Sequence, residues 1–96
     1  MEIIIVGGGK VGSALAEVLC HEHNVTVIDK NETRINSVIN DYDVKGIIGN
    51  CLTTEALDDA GISKCNIFIA VTSSDEVNIL SCLIAKKMKA RHCIAR

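Results

Sequence analysis

The run Gly7-Gly8-Gly9-Lys10-Val11-Gly12 carries glycines at the spacing GxGxxG, through Gly7, Gly9 and Gly12. This spacing suits phosphate chemistry. Gly7 permits a tight turn, Gly9 has no Cβ to block a pyrophosphate from the backbone, and Gly12 lets the next helix pack closely on a sheet. The start of that helix adds unpaired N–H groups and the positive end of its dipole. Lys10 lies inside the loop and Val11 beside it. The lysine reads either as the partner of an outer phosphate or as a solvated first-turn residue. Asp29 completes the pattern, at roughly the 20-residue offset of a ribose-binding acid. Its carboxylate can accept hydrogen bonds from the 2′- and 3′-hydroxyls of an adenosine ribose. It would repel a 2′-phosphate, so NADP is disfavoured. The plainer reading is a βα turn at the glycines and a helix cap at Asp29.

Other candidates carry less. Asn50 and Thr72 follow the third and fourth apolar runs, where turns would bring them to the same end of a sheet. Asn50 also reads as an ordinary turn residue, and Ser73 as a helix cap. Cys20-His21-Glu22-His23 invites a metal reading, but residues two apart point away from each other on a helix, which favours a fraying, solvated helix end. Five scattered cysteines without a CxxC pair exclude a zinc ribbon or thioredoxin motif and read as free thiols of a reducing compartment. No Ser/His/Asp or Cys/His constellation can be assembled.

These residues need elements to hold them, and hydrophobic periodicity supplies a set. Ile3, Ile4, Ile5 and Val6 form an unbroken β-branched run, as in a strand buried on both faces. Val11, Ala14, Leu15, Val18 and Leu19 then fall on one face of a helix. Strands follow at 25–28, 44–48, 67–71 and 91–95, the third weakened by Gly46. The intervening helices are capped by Asn31, by Thr53 and by a Ser73/Glu76 capping box. Ile35, Val38 and Ile39 form the inner face of the second helix, and Gly61 stops the third. The last helix, 74–88, carries an inner stripe of Val77, Leu80 and Ile84, extended around the cylinder by Ile79, Cys82 and Leu83. Strict alternation of strand and helix with short links predicts a doubly wound, Rossmann-like α/β fold. The sheet is mostly parallel, of about five strands.

Composition closes off other classes. Ninety-six residues make one domain, and 48 % hydrophobic residues are too many for a disordered chain. Only 2 % are aromatic and the net charge is −2, which excludes a nucleic-acid reader built on stacking and basic patches. The amino terminus lacks a basic leader, and no apolar run approaches the ~20 residues of a membrane span, so no direct membrane insertion is expected.

The run Ala70-Val71-Thr72-Ser73-Ser74-Asp75-Glu76-Val77-Asn78 resembles the AVTxxDExN signature of TrkA-type N domains, also called KTN domains or RCK N-lobes. The glycine loop, Asp29, Gly49-Asn50, Ala60-Gly61 and Ile94-Ala95-Arg96 extend the likeness over the whole chain. The resemblance implies a non-enzymatic regulatory module of a potassium uptake or transport system. Such a module is cytoplasmic and peripheral to the membrane through a channel or transporter subunit. It binds NAD or NADH, alternatively ATP or ADP, and assembles as a dimer or ring. Carried over, Gly7, Gly9 and Gly12 hold the phosphates with Lys10 and Val11, Asp29 holds the ribose, and Asn50 and Thr72 line the pocket. Asn50 replaces an aspartate usual at that turn. The family's domains continue into a further strand and crossover helix, so residues 1–96 are expected to form one domain shortened at its carboxyl end. The apolar last helix and the edge strand predict self-association. The competing reading is the cofactor half of an NAD-dependent oxidoreductase; a methyltransferase ranks below it, because the loop spacing favours a dinucleotide.

Overall fold

In a computed structural model that describes residues 1–96, strand and helix alternate along the chain. The order is β1 (Glu2–Val6), α1 (Lys10–Leu19), β2 (Asn24–Asp29), α2 (Glu32–Asp41), β3 (Lys45–Ile48) and α3 (Thr54–Asp59). A 3-10 turn (Ile62–Lys64), β4 (Ile67–Ala70), α4 (Asp75–Lys87) and β5 (His92–Ala95) complete it. The strands make one parallel sheet in the order β3-β2-β1-β4-β5. The chain winds outward from β1 to β3, then crosses back to β4. The strand order therefore reverses beside β1.

The central position of β1 explains its composition. Ile3 and Ile5 pack on one face with Ala16 of α1 and Ile35 and Val38 of α2. Ile4 and Val6 pack on the other with Leu57 of α3, Phe68 of β4 and Ala85 of α4. Both faces are covered, so every side chain from Ile3 to Val6 is buried, each worth about 1.5–3 kcal/mol. Asn31 and Thr53 cap α2 and α3 by accepting from the Arg34 and Ala56 N–H groups. Gly61 ends α3 with a left-handed φ of 83°.

Several local expectations shift. β3 starts at Lys45 and β5 at His92, while Val71 leaves β4 for the following loop. The cap of α4 is Ser74, not Ser73; its side chain accepts from the Val77 N–H. Gly46 does not weaken β3 so much as notch it. A Cβ there would lie 2.6 Å from both Ile35 and Ile39 side chains, so the glycine lets α2 settle onto the sheet. Ile39 itself is largely exposed.

Two helices are rotated from their apolar stripes. Helix α1 buries Gly12 and Ala16, half-buries Leu15 and Leu19, and turns Val11, Ala14 and Val18 outward. The glycine loop fixes this rotation: a Cβ on Gly12 would stand 1.6 Å from the Gly7 carbonyl oxygen. Only the smallest residues fit beneath the helix, whatever the larger ones prefer. Helix α4 keeps Val77 and Ile84 of its stripe against the core, with Cys82, but buries Asn78, Ser81 and Ala85 and leaves Leu80 exposed with Ile79 and Leu83.

Asn78 explains the second rotation. Its side-chain oxygen accepts from the Thr72 N–H at 2.9 Å and the Thr72 hydroxyl at 2.6 Å, and its amide donates back to the Thr72 carbonyl at 3.1 Å. The Thr72 hydroxyl in turn accepts from the Ser74 N–H. A buried amide thus moors the β4–α4 loop to α4, and its hydrogen bonds outweigh the pull of Leu80 toward the core.

Two stability changes follow. Gly12→Ala should destabilise by about 3 kcal/mol, the upper part of the overpacking range, because the obstruction is backbone. Gly46→Ala meets only side-chain ends and should lose about 1 kcal/mol. Urea denaturation of both variants ranks them, and equal midpoints would refute the account of α1. Asn78→Ala should lose about 1–3 kcal/mol by stranding the Thr72 N–H, and hydrogen exchange at that amide should accelerate relative to β1.

Candidate functional site

A cleft of about 420 Å³ opens at the carboxyl ends of β1, β2 and β4, beside the reversal of strand order. This is where open α/β sheets hold ligands. It is lined by Gly7, Gly9, Lys10 and Val11 of the glycine loop, by Asp29, by Asn50 and by Thr72. Seven of the sequence-predicted residues therefore meet in one place. Gly12 does not line the cleft; it lies buried beneath the helix and serves by letting α1 approach.

The loop is shaped by its own backbone. Gly7 takes a φ of 108°, a conformation L side chains rarely adopt, and its N–H donates to the Ile28 carbonyl at 2.9 Å. A Cβ on Gly7 would press on the Val71 carbonyl at 3.1 Å. Gly9 is the N-cap of α1 and offers no side-chain cap. Helices α2, α3 and α4 each have a side-chain cap and an acidic residue in the first turn. Helix α1 has neither, and Lys10 stands at its first position. Its leading N–H groups are left for an external acceptor.

Asp29 is tied into this loop. Its Oδ2 accepts from the Gly8 N–H at 2.8 Å and its Oδ1 from the Asn31 N–H at 2.9 Å. The carboxylate thus both clamps the glycine turn and begins α2. Each oxygen keeps a further lone pair for a ligand hydroxyl. Arg34 was not anticipated: its Nη1 lies 3.7 Å from Asp29 Oδ2, and the guanidinium runs alongside Gly9. The signal was present, since Arg34 falls in the first turn of a helix that starts just after Asp29. Lys30 and Arg96 also reach the cleft. Four cations thus face a single carboxylate, Asp29, in a chain of net charge −2.

The opposite wall is quieter. Asn50 folds into a turn, its side-chain oxygen accepting from the Leu52 N–H at 2.9 Å, so the turn reading and the cleft position hold together. Ile28, Cys51 and Leu52 give the cleft an apolar strip beside it. Burial raises the Cys51 thiol, and pushes Cys65 and Cys82 up to about 11, which keeps them protonated and unreactive. Cys20, His21, Glu22 and His23 lie elsewhere, along a shallow depression with Glu2 and Asn24 at the amino ends of β1 and β2. His23 Nδ1 sits 3.3 Å from the terminal amine of Met1.

The chain has known relatives. It is 44 % identical over 96 residues to the Trk system potassium uptake protein TrkA homolog of Archaeoglobus fulgidus; the match covers all of this chain and 22 % of that protein. Among solved structures it resembles the Kef CTD of Shewanella denitrificans in its AMP-bound form, with a TM-score of 0.82 at 18 % identity, over 98 % of this chain and 57 % of that one. It also shares its fold with a 3-hydroxyacyl-CoA dehydrogenase of Archaeoglobus fulgidus, with a TM-score of 0.74 at 14 % identity, over 98 % of this chain and 33 % of that one. The sequence model of the TrkA-N domain matches residues 3–96, from the first strand to the last residue, and the chain belongs to the TrkA-N domain family.

Proposed function

We propose that the cleft binds an adenine nucleotide and that the chain reports its binding to a potassium uptake system, as a cytoplasmic regulatory module attached to a membrane subunit. The observation that carries the reading is the uncapped start of α1, framed by the Gly7 turn and the Asp29–Gly8 hydrogen bond. Phosphates would lie against the N–H groups at Gly9 and Lys10, and the ribose against Asp29. The adenine would take the apolar strip of Ile28, Cys51 and Leu52. NAD or NADH fills such a cleft across the β1–β4 boundary; ATP or ADP would use its adenosine side, with Lys10 and Arg96 toward the outer phosphates. The AMP-bound Kef CTD, a protein of the same fold, supports the adenosine assignment. The potassium-uptake relative supports the regulatory one.

The mechanism is a shift of population. A ligand favours whichever arrangement it binds better, by no more than that difference in affinity. Thr72 lines the cleft and is bonded to Asn78 of α4, so a ligand that moves the β4–α4 loop bears directly on that helix. Helix α4 exposes Ile79, Leu80 and Leu83, and the outer strand β5 exposes Ile94. An apolar helix face of this kind is suited to another subunit, in a dimer or ring.

The dehydrogenase neighbour keeps one alternative alive, the cofactor half of an oxidoreductase. Hydride transfer to a carbonyl needs a proton donor or acceptor facing the nicotinamide. The single carboxylate of the cleft, Asp29, already takes the Gly8 and Asn31 N–H groups, and no histidine lines it. The regulatory reading is therefore preferred.

Titration of the chain with NAD⁺, NADH, AMP, ADP and ATP by calorimetry tests the proposal. Asp29→Ala should weaken the best ligand by about 1.5–3 kcal/mol, roughly 10- to 100-fold, through the lost charge-assisted bonds. Unchanged affinity would remove Asp29 from the site. Sedimentation at micromolar concentration should show a dimer or larger species, dissociated by Ile79→Lys. A monomeric wild-type chain would refute the subunit assignment.

A further inference from the structure

Resting on the membrane-peripheral part of the reading above, and on nothing about the nucleotide, we propose that the end of the molecule opposite the cleft is a cationic surface that lies on an anionic lipid bilayer. The net charge of −2 conceals a division. Residues 77–96 carry Lys86, Lys87, Lys89, Arg91 and Arg96 and no carboxylate; all twelve acidic residues precede them. The fold sorts these charges further. Helix α4 runs toward the amino ends of the strands and β5 begins there, so Lys86 to Arg91 sit at that end, while Arg96 reaches the cleft. The Arg91 and His92 N–H groups donate to the Cys65 and Asn66 carbonyls, each at 3.1 Å, which sets Lys64 at the same end. Lys64, Lys86, Lys87, Lys89 and Arg91 are all exposed.

The turn after α4 directs its cations outward. Met88 packs against the core and Ala90 is buried, while Lys87, Lys89 and Arg91 alternate with them and face solvent. Lys89 takes a φ of 82°, where glycine is the usual residue. The Lys86 ammonium donates to the Arg91 carbonyl at 3.1 Å and closes the turn. No carboxylate neutralises the group. Asp58 and Asp59 approach this end from α3, yet the one ion pair of the chain within 4 Å is Arg34–Asp29. Glu76 opens the same helix about 17 Å from Lys87. That is twice the ~8 Å over which physiological salt screens charge. Neither the cleft nor the depression at His23 includes any of the five cations. A surface without a recess offers no fit to a discrete ligand. It matches a plane of anionic headgroups, to which each lysine or arginine adds its own attraction. Docked this way, the cleft faces away from the bilayer.

Co-sedimentation of the full chain with vesicles tests this. Vesicles of phosphatidylcholine with about one-third phosphatidylglycerol should retain wild type, pure phosphatidylcholine should not, and high salt should release the chain. Replacing the three outward cations together, by Lys87→Gln, Lys89→Gln and Arg91→Gln, should weaken vesicle binding tenfold or more. Lys87→Gln alone should weaken it about three- to fivefold, the worth of one charge near such a surface, and keeps the test decisive if the triple variant is unstable. Lys45→Gln, on the opposite edge strand β3, should change it less than twofold. No binding to anionic vesicles, equal binding to both kinds, or an equal effect of Lys87→Gln and Lys45→Gln would overturn the proposal. Retention on soluble polyglutamate without vesicle binding would overturn it too, and would assign the patch to an acidic protein. Failure of every nucleotide to bind would sink the nucleotide reading and leave this result standing, and the converse holds.

Discussion

The close approach of α1 to the Gly7 turn is the constraint on which the rest depends. Gly12 sits where any larger residue would collide with the Gly7 carbonyl oxygen. That approach sets the rotation of α1 and brings its uncapped start to the cleft floor. It also holds the loop where the Gly8 N–H can reach Asp29 across the end of β2. The uncapped helix start, the Asp29 clamp on the loop and the helix packing are thus consequences of one missing methyl group. The loop's glycines divide the work: Gly7 supplies the unusual backbone angle, Gly9 an open cap, and Gly12 the contact.

Much of this was legible in the residue order. Short β-branched runs separated by helical periods determine a parallel α/β sheet, and the buried centre of β1 follows from Ile3 to Val6 having no polar alternate. The cleft residues were legible because loops that follow consecutive parallel strands converge at one end of the sheet. What escaped was rotation. A hydrophobic stripe predicts an inward face only when size does not matter. In α1 the small residues Gly12 and Ala16 won the inner positions over Val11 and Val18. In α4 the amide of Asn78 won over Leu80, because its partners are backbone groups of a fixed loop. Arg34 escaped for a related reason: a charged residue in a helical first turn reads as solvated until its distance to Asp29 is known.

Helix α4 therefore mixes its faces: Asn78 and Ser81 are buried beside Ala85, Val77 and Ile84, while Ile79, Leu80 and Leu83 face outward. Its buried side hydrogen-bonds the cleft loop through Asn78, with Ser81 donating to the Asn78 carbonyl. Its open side carries Ile79, Leu80 and Leu83. One rigid element thus has the loop's geometry on one face and an exposed apolar surface on the other. Hydrogen bonds are directional, so small displacements of Thr72 are felt by the helix, whereas apolar contacts on its far side tolerate sliding.

The sheet order carries a last consequence for how the chain assembles. Strands β1, β2 and β3 form a continuous local unit, while β4 and β5 form another, and the two share only the β1–β4 ladder within the sheet. That ladder joins Ile3 to Ile67 and Val6 to Ala70, pairs far apart along the chain. It joins segments separated by three helices and two strands, a larger loop-closure cost than pairing β1 to β2. The seam between the two units runs straight into the cleft, between Gly7 on one side and Thr72 on the other. Within the sheet the two units meet along this one ladder, with the cleft at its open end, and a shared core of Leu57, Phe68 and Ala85 joins them beneath it.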